Sequence, residues 1–248
     1  MRRHLVTGSS SGIGAATCRL LAGPGTAFVV HARANAEGAE RVAADLRARG
    51  AEAVVAMGDL GEPGTAEALV ATAVDRLGGL DVLVANAGYA DRTRLDDLTP
   101  ERFEESLRVI STGFLRLVRA ARAPLAAAED GRVVAVGSFV AHSFRTDAPV
   151  FLASAAAKGG LESMVRALAV ELAPQRVTVN CVVPGAIEKD AGTVSSMTPE
   201  QWRATLGRIP LGRLGKTGEV AAAIAFLCSP AAAYVTGQAL HVNGGLVL

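Results

Sequence analysis

The sequence has 248 residues, 50% of them hydrophobic, enough to bury one large core, and a single domain spanning 1–248 is expected. Its 25 basic and 24 acidic side chains nearly cancel, which argues against nucleic acid or an anionic membrane as the main partner. No apolar run approaches the roughly 20 residues that span a bilayer. Arg2-Arg3-His4 leads straight into an apolar strand rather than a secretory leader, so a cytoplasmic protein is expected.

Apolar runs alternate with longer helical patterns, the signature of a parallel sheet covered on both faces. His4-Leu5-Val6 is the first strand, and a helical pattern follows through Ala15, Cys18, Leu20 and Leu21. Ala27–His31 is the second strand and Ala36–Arg49 its helix; Ala53–Met57 is the third, followed by a helix after Gly64. Val82–Ala85 is the fourth strand. A long helix then starts at Thr99-Pro100-Glu101, where a Thr cap precedes Pro. Arg132–Val136 is the fifth strand, a long helix covers about Leu152–Leu172, and Val177–Val182 is the sixth strand. From Ala186 to Arg208 the pattern is irregular, with a short helix at Thr198-Pro199-Glu200. This stretch is read as a lid over the substrate, with Met197, Trp202 and Leu206 as an apolar wall. A helix over Gly218–Leu227 and the strand Ala239–Val242 close a seven-stranded doubly wound α/β fold of the Rossmann type.

Cys18, Cys181 and Cys228 form no CxxC pair and read as small core residues in a reducing compartment. His4, His31, His142 and His241 show no ligand spacing, and no metal site is expected.

The first chemical signal is Thr7-Gly8-Ser9-Ser10-Ser11-Gly12-Ile13-Gly14, placed between the first strand and the first helix. Gly8 allows a tight turn, Gly12 lets the backbone approach a pyrophosphate, and Gly14 permits close helix–strand packing. The helix N-terminus then faces the anion. The second strand ends in His31-Ala32-Arg33, with no carboxylate to bind a ribose diol. A guanidinium there suits a 2′-phosphate, which favours NADP(H) over NAD(H), unless Arg33 is only a solvated surface residue.

The T-G-x-x-x-G-x-G spacing resembles the short-chain dehydrogenase/reductase family. Asn86-Ala87-Gly88, Ser138, Lys158 and Pro184-Gly185 match further motifs of that family. The run Ile209–Arg213, with Tyr234–Gln238 and Val242–Gly245, resembles its β-ketoacyl reductase branch. The resemblance covers essentially the whole chain. It implies cofactor contacts from Gly8, Ser10, Ser11, Gly12, Ile13, Gly14, Arg33, Asp59, Leu60, Asn86, Ala87, Gly88, Lys158, Pro184, Gly185 and Ile187. Asp59 would accept from the adenine amino group. Ser138 would polarise the substrate oxygen, and Lys158 would hold the nicotinamide ribose.

The family's tyrosine, four residues before the lysine, exchanges the proton. Here Ser154 stands at that position. Another register is open, because Phe151 lies thirteen residues after Ser138, a familiar serine-to-tyrosine separation, but it too lacks a hydroxyl. A serine hydroxyl stops several ångströms short and is a far weaker acid than a phenol of pKa about 10. Two more departures accompany this loss: Ile110 occupies the position of the relay asparagine, and Lys189 that of the threonine after Pro184-Gly185.

Three functions remain open. One is a tyrosine-deficient subunit assembling as dimer or tetramer with an intact short-chain reductase, over the helices beginning near Pro100 and Leu152. The second of these helices is rich in small residues: Ala153, Ala155, Ala156, Ala157, Gly159 and Gly160. Another is a self-sufficient NADPH-dependent ketoreductase whose proton donor is Tyr89, His142 or Lys158. The third is a nucleotide-binding regulator or a non-redox enzyme on the same scaffold. The resemblance implies a small-molecule or carrier-bound keto substrate.

Overall fold

Strand β1 (Arg2–Val6) sits at the centre of a seven-stranded sheet, with β2 (Thr26–Ala32) and β3 (Glu52–Met57) on one side. On the other lie β4 (Val82–Ala85), β5 (Arg132–Val136), β6 (Thr178–Pro184) and β7 (Ala239–Val242). The order is β3-β2-β1-β4-β5-β6-β7, and every pairing is parallel. The computed structural model describes residues 1–146, 150–188 and 199–247. The helices are α1 (Gly12–Leu21), α2 (Ala36–Ala48), α3 (Thr65–Leu77), α4 (Pro100–Ser106), α5 (Gly113–Ala127), α6 (Leu152–Leu172), α7 (Pro199–Leu206) and α8 (Thr217–Cys228).

Strands buried on both faces need apolar side chains pointing both ways, which is why the central strands read as unbroken Val, Leu and Ala runs. Leu5, Val29, Leu83, Val133 and Val179 pack with α3, α5 and α6 on one face. Val6, Phe28, Val30, Val84 and Val182 pack with α1, α2 and α8 on the other. Each fully buried side chain of this size stabilises by roughly 1.5–3 kcal/mol. His4 is a core histidine stacked on Phe28, and burial lowers its pKa to about 4. The three cysteines are free and buried. No helix among the described residues is long and apolar enough to cross a membrane.

Helix starts follow their caps. Asn35 Oδ1 accepts from Gly38 N–H, and Thr99 Oγ1 from Arg102 N–H. The long helix expected from Pro100 is not uniform, because Leu107–Thr112 forms a π-helical segment between α4 and α5. Its Ser111 Oγ donates to Ala157 O at 2.8 Å, so the widened turn is tied to α6. Side-chain spacing does not reveal such a segment, since the apolar face continues through it.

The small residues of α6 divide between two environments. Ala153, Ala155 and Ala157 are buried within this chain, whereas Ala156 and Gly160 face outward. Half of the small-residue run is therefore used by helix-on-sheet packing.

Candidate functional site

Because β1 turns to β2 on one side and β4 lies on the other, a crevice opens at the carboxyl ends of β1 and β4. Both signature motifs meet there. Thr7 Oγ1 accepts from the N–H groups of Asn86 and Ala87, each at 3.1 Å. Asn86 Nδ2 in turn donates to Thr7 O at 2.9 Å and Gly8 O at 3.0 Å. Asn86 thus fastens the glycine loop to the end of β4. A Cβ on Gly14 would lie 2.5 Å from Gly8 O and 2.7 Å from Asn86 Nδ2, so only glycine fits.

One contributor to this loop was not singled out from the sequence. His31 Nδ1 accepts from Gly8 N–H at 3.1 Å, while its Nε2 faces Gly58 O at 2.9 Å. This pair of partners assigns a neutral imidazole with the proton on Nε2, and burial lowers its pKa accordingly. A histidine ending the second strand offers no spacing signal. Its role exists only because the sheet register brings β2 beside β1.

The loop fits a dinucleotide. Gly12 has φ +58° and open space where its Cβ would be, a cradle that a side chain would fill. Ser11 begins α1 without a side-chain capping bond, and the helix N-terminus suits a phosphate. Arg33 is 64% exposed at the end of β2, with Nη1 at 3.8 Å from Asp59 Oδ2. Asp59 also accepts from Gly61 N–H through Oδ1. Leu60 points into the core, so only its backbone is available to a ligand.

Beyond the crevice lies a cleft of about 330 Å³, lined by Ile13, Asn86, Gly88, Tyr89, Ala90, Val136, Gly137, Ser138, Val140, Ser154, Lys158, Pro184, Gly185 and Ile187. Ser154 and Lys158 both line it, one helical turn apart, whereas Phe151 begins α6 outside the lining with the Arg92 guanidinium over its ring. Ser154 is buried, and its Oγ accepts from Asp91 N–H at 2.7 Å. Burial pushes the Asp91 carboxyl up, but the Arg102 bond at 2.7 Å and the Thr93 N–H outweigh it and hold the pKa at about 2. Lys158 Nζ donates to Val136 O at 2.6 Å, its one hydrogen-bond partner among the described residues. Burial lowers its pKa to about 8, against smaller opposing effects of Cys181 and Glu162. Ser138 Oγ accepts weakly from Val140 N–H at 3.4 Å. Tyr89 OH lies 3.3 Å from Ser106 Oγ.

Ile110 is buried within the π-helical segment and packs toward Gly88. Lys189 and Met197 lie outside the described residues, as does the side chain of Trp202; Leu206 is half-buried on α7. Among the described residues no group of three or more His, Cys, Asp or Glu is arranged to hold a metal ion. Even so, the sheet brings His142 and His241 to a ring separation of 4.7 Å, a pairing that sequence spacing does not show.

A glycine loop fastened to an N-A-G turn, with serine and lysine across the sheet edge, defines a class of nucleotide-dependent oxidoreductases. The chain belongs to the short-chain dehydrogenase/reductase family. A family model described as enoyl-(acyl carrier protein) reductase matches residues 8–247. The 3-oxoacyl-[acyl-carrier-protein] reductase FabG of Vibrio cholerae is 37% identical, over 98% of this chain and 96% of that protein. The cis-4-hydroxycyclohexanecarboxylate dehydrogenase of Sinomonas cyclohexanicum is 39% identical over the same shares. A short chain dehydrogenase from Burkholderia cenocepacia, solved in complex with NADP, superposes with a TM-score of 0.90 at 33% identity, covering 99% of this chain and 97% of that one.

Proposed function

We propose that this chain is an NADP(H)-linked oxidoreductase of a keto/hydroxy pair, in which the Lys158 ammonium delivers the proton that a phenol would otherwise deliver. The observation that carries the reading is the state of Lys158: buried, bonded to Val136 O, and brought by burial to a pKa of about 8 on the cleft that Ser138 also lines. An acid of that strength lies near the working pH, where general acid catalysis is most effective. Ser154 is unsuited to the part, being a weak acid whose oxygen is already engaged by Asp91.

Bound NADPH would supply the hydride. Lys158 would give a proton to the carbonyl oxygen, and the Ser138 hydroxyl would donate a hydrogen bond to the same oxygen as charge develops on it. The Gly8–Gly14 loop with Ser10, Ser11 and Ile13 would hold the pyrophosphate. Arg33 would meet the 2′-phosphate, and Pro184, Gly185 and Ile187 would flank the nicotinamide. A β-keto thioester or a cyclic ketone is the substrate class, by likeness to relatives named for such compounds. The test is NADPH consumption by the purified chain with a panel of β-keto thioesters and cyclic and aromatic ketones. Turnover that survives Ser154→Ala and disappears in Lys158→Met supports the reading.

A second reading is favoured by the bond between Ser154 and Asp91 together with the packing of Ile110. These residues fill the phenol and relay-asparagine positions with groups that move no proton. In this reading the chain is the tyrosine-deficient subunit of a dimer or tetramer with an intact relative. No turnover alone, with turnover of the co-purified pair exceeding that of the relative by itself, would establish it.

A further inference from the structure

Ser154 is only 1% exposed, yet it lines the same cleft as Ser138 and Lys158. Its oxygen is held from behind. The bond it accepts from Asp91 N–H, at 2.7 Å, occupies one lone pair. Asp91 is itself fixed, because its carboxylate accepts from Arg102 Nε at 2.7 Å and from Thr93 N–H at 2.8 Å. A serine hydroxyl can accept and donate at once. Among the described residues the Ser154 O–H meets no acceptor. The bond it accepts also makes it a better donor, since hydrogen bonds in a chain polarise one another. The mechanism proposed above gives this hydroxyl no part.

The rest of the lining decides what such a donor can serve. Asn86 is engaged with the glycine loop, and Tyr89 with Ser106. That leaves Ser138, Ser154 and Lys158 as side-chain donors toward a ligand, and no aspartate or glutamate lines the cleft. Ser138 and Lys158 are both tied to the end of β5, the lysine through Val136 O. Ser154 stands apart from them on α6, one turn before Lys158, with about 5–6 Å between Cβ atoms at that spacing. One ligand oxygen can meet Ser138 and Lys158 while a second meets Ser154. A ligand with a single acceptor leaves a buried donor without a partner, which disfavours it.

We infer that Ser154 is a substrate-binding residue that selects ketones carrying a second carbonyl in the β position. Its hydroxyl donates to that second carbonyl while Ser138 and Lys158 meet the keto oxygen. The inference rests on the reading in which Ser138 and Lys158 act on the keto oxygen. It narrows the substrate class to β-keto thioesters and esters, at the expense of cyclic ketones with one oxygen. A β-dicarbonyl suits the placement, because rotation about its central carbon can spread the two oxygens toward separate donors. The backing of Ser154 by Asp91 fixes where its oxygen lies before any ligand arrives, so little ordering is needed on binding.

The experiment uses the full chain saturated with NADP⁺, so that ligands bind without being reduced. Calorimetry compares ethyl acetoacetate with its analogue in which a methylene replaces the ester carbonyl. Wild type is expected to bind the β-keto ester about tenfold more tightly than the analogue. Ser154→Thr, which keeps the hydroxyl, should retain that preference, and Ser154→Ala should reduce it below about twofold. A merely structural Ser154 would weaken both ligands alike and leave their ratio unchanged. If Ser154→Ala does not fold, Ser154→Cys decides in its place, since a thiol is only a weak donor. No preference in wild type, or one that survives loss of the hydroxyl, would overturn the inference. NADPH consumption with ethyl acetoacetate is followed in parallel. Its absence from wild type, with the binding preference as expected, would overturn the reductase reading while supporting the role of Ser154 in binding.

Discussion

Ser154 Oγ accepts the backbone N–H of Asp91 at 2.7 Å, joining the loop after β4 to the first turn of α6. Ser154→Ala would leave that buried donor unpaired, at a cost of about 1–3 kcal/mol. Urea denaturation should show the loss, and limited proteolysis should find the 89–94 loop more open. Ser154→Tyr would also break this bond, so a phenol placed there is expected to lower stability.

Lys158→Met is expected to abolish turnover while stabilising the fold. The lysine's pKa is about 8 in the folded chain against 10.5 as the ordinary value, so the unfolded chain binds more protons between those two limits. Stability contributed by this group therefore rises as pH increases from 8 to 10.5, and its burial is most unfavourable below pH 8. Removing the charge should gain on the order of 1–3 kcal/mol at pH 7, read from denaturation midpoints in wild type and variant. In the other direction, reduction requires the ammonium, so the rate should fall as pH rises through about 8.

Arg33→Ala should weaken NADPH binding about tenfold and leave NADH binding unchanged, as measured by calorimetry. The effect is modest because the side chain is largely solvated and shares its charge with Asp59. Equal affinity of wild type for both nucleotides would remove the argument for a 2′-phosphate site.

His31→Ala should weaken both nucleotides alike, by roughly three- to tenfold, since it frees Gly8 N–H and loosens the loop without touching the 2′ position. The ratio of NADPH to NADH affinity, rather than either value, distinguishes it from Arg33→Ala.

Tyr89→Phe should leave turnover within about twofold, because the phenol hydroxyl is directed to Ser106 on α4. Loss of activity in this variant would make Tyr89 the proton donor in place of Lys158.

The sequence by itself determined the alternation of strands and helices, the glycine loop, the end of β2 without an acid, and a serine four residues before Lys158. These are local patterns, in which period, turn chemistry and motif spacing act within a few residues. Tertiary structure decided which of two registers puts a residue beside Lys158, because only α6 packed on β5 shows Ser154 on the cleft and Phe151 off it. It also decided that Asn86 fastens the loop, that His31 orients Gly8, and that Leu107–Thr112 widens into a π-helical segment. His142 and Glu162 are twenty residues apart, and His241 lies on the last strand, far from both in sequence. They come together because parallel β5, β6 and β7 end at one edge and α6 crosses behind them, a juxtaposition with no local signature along the chain.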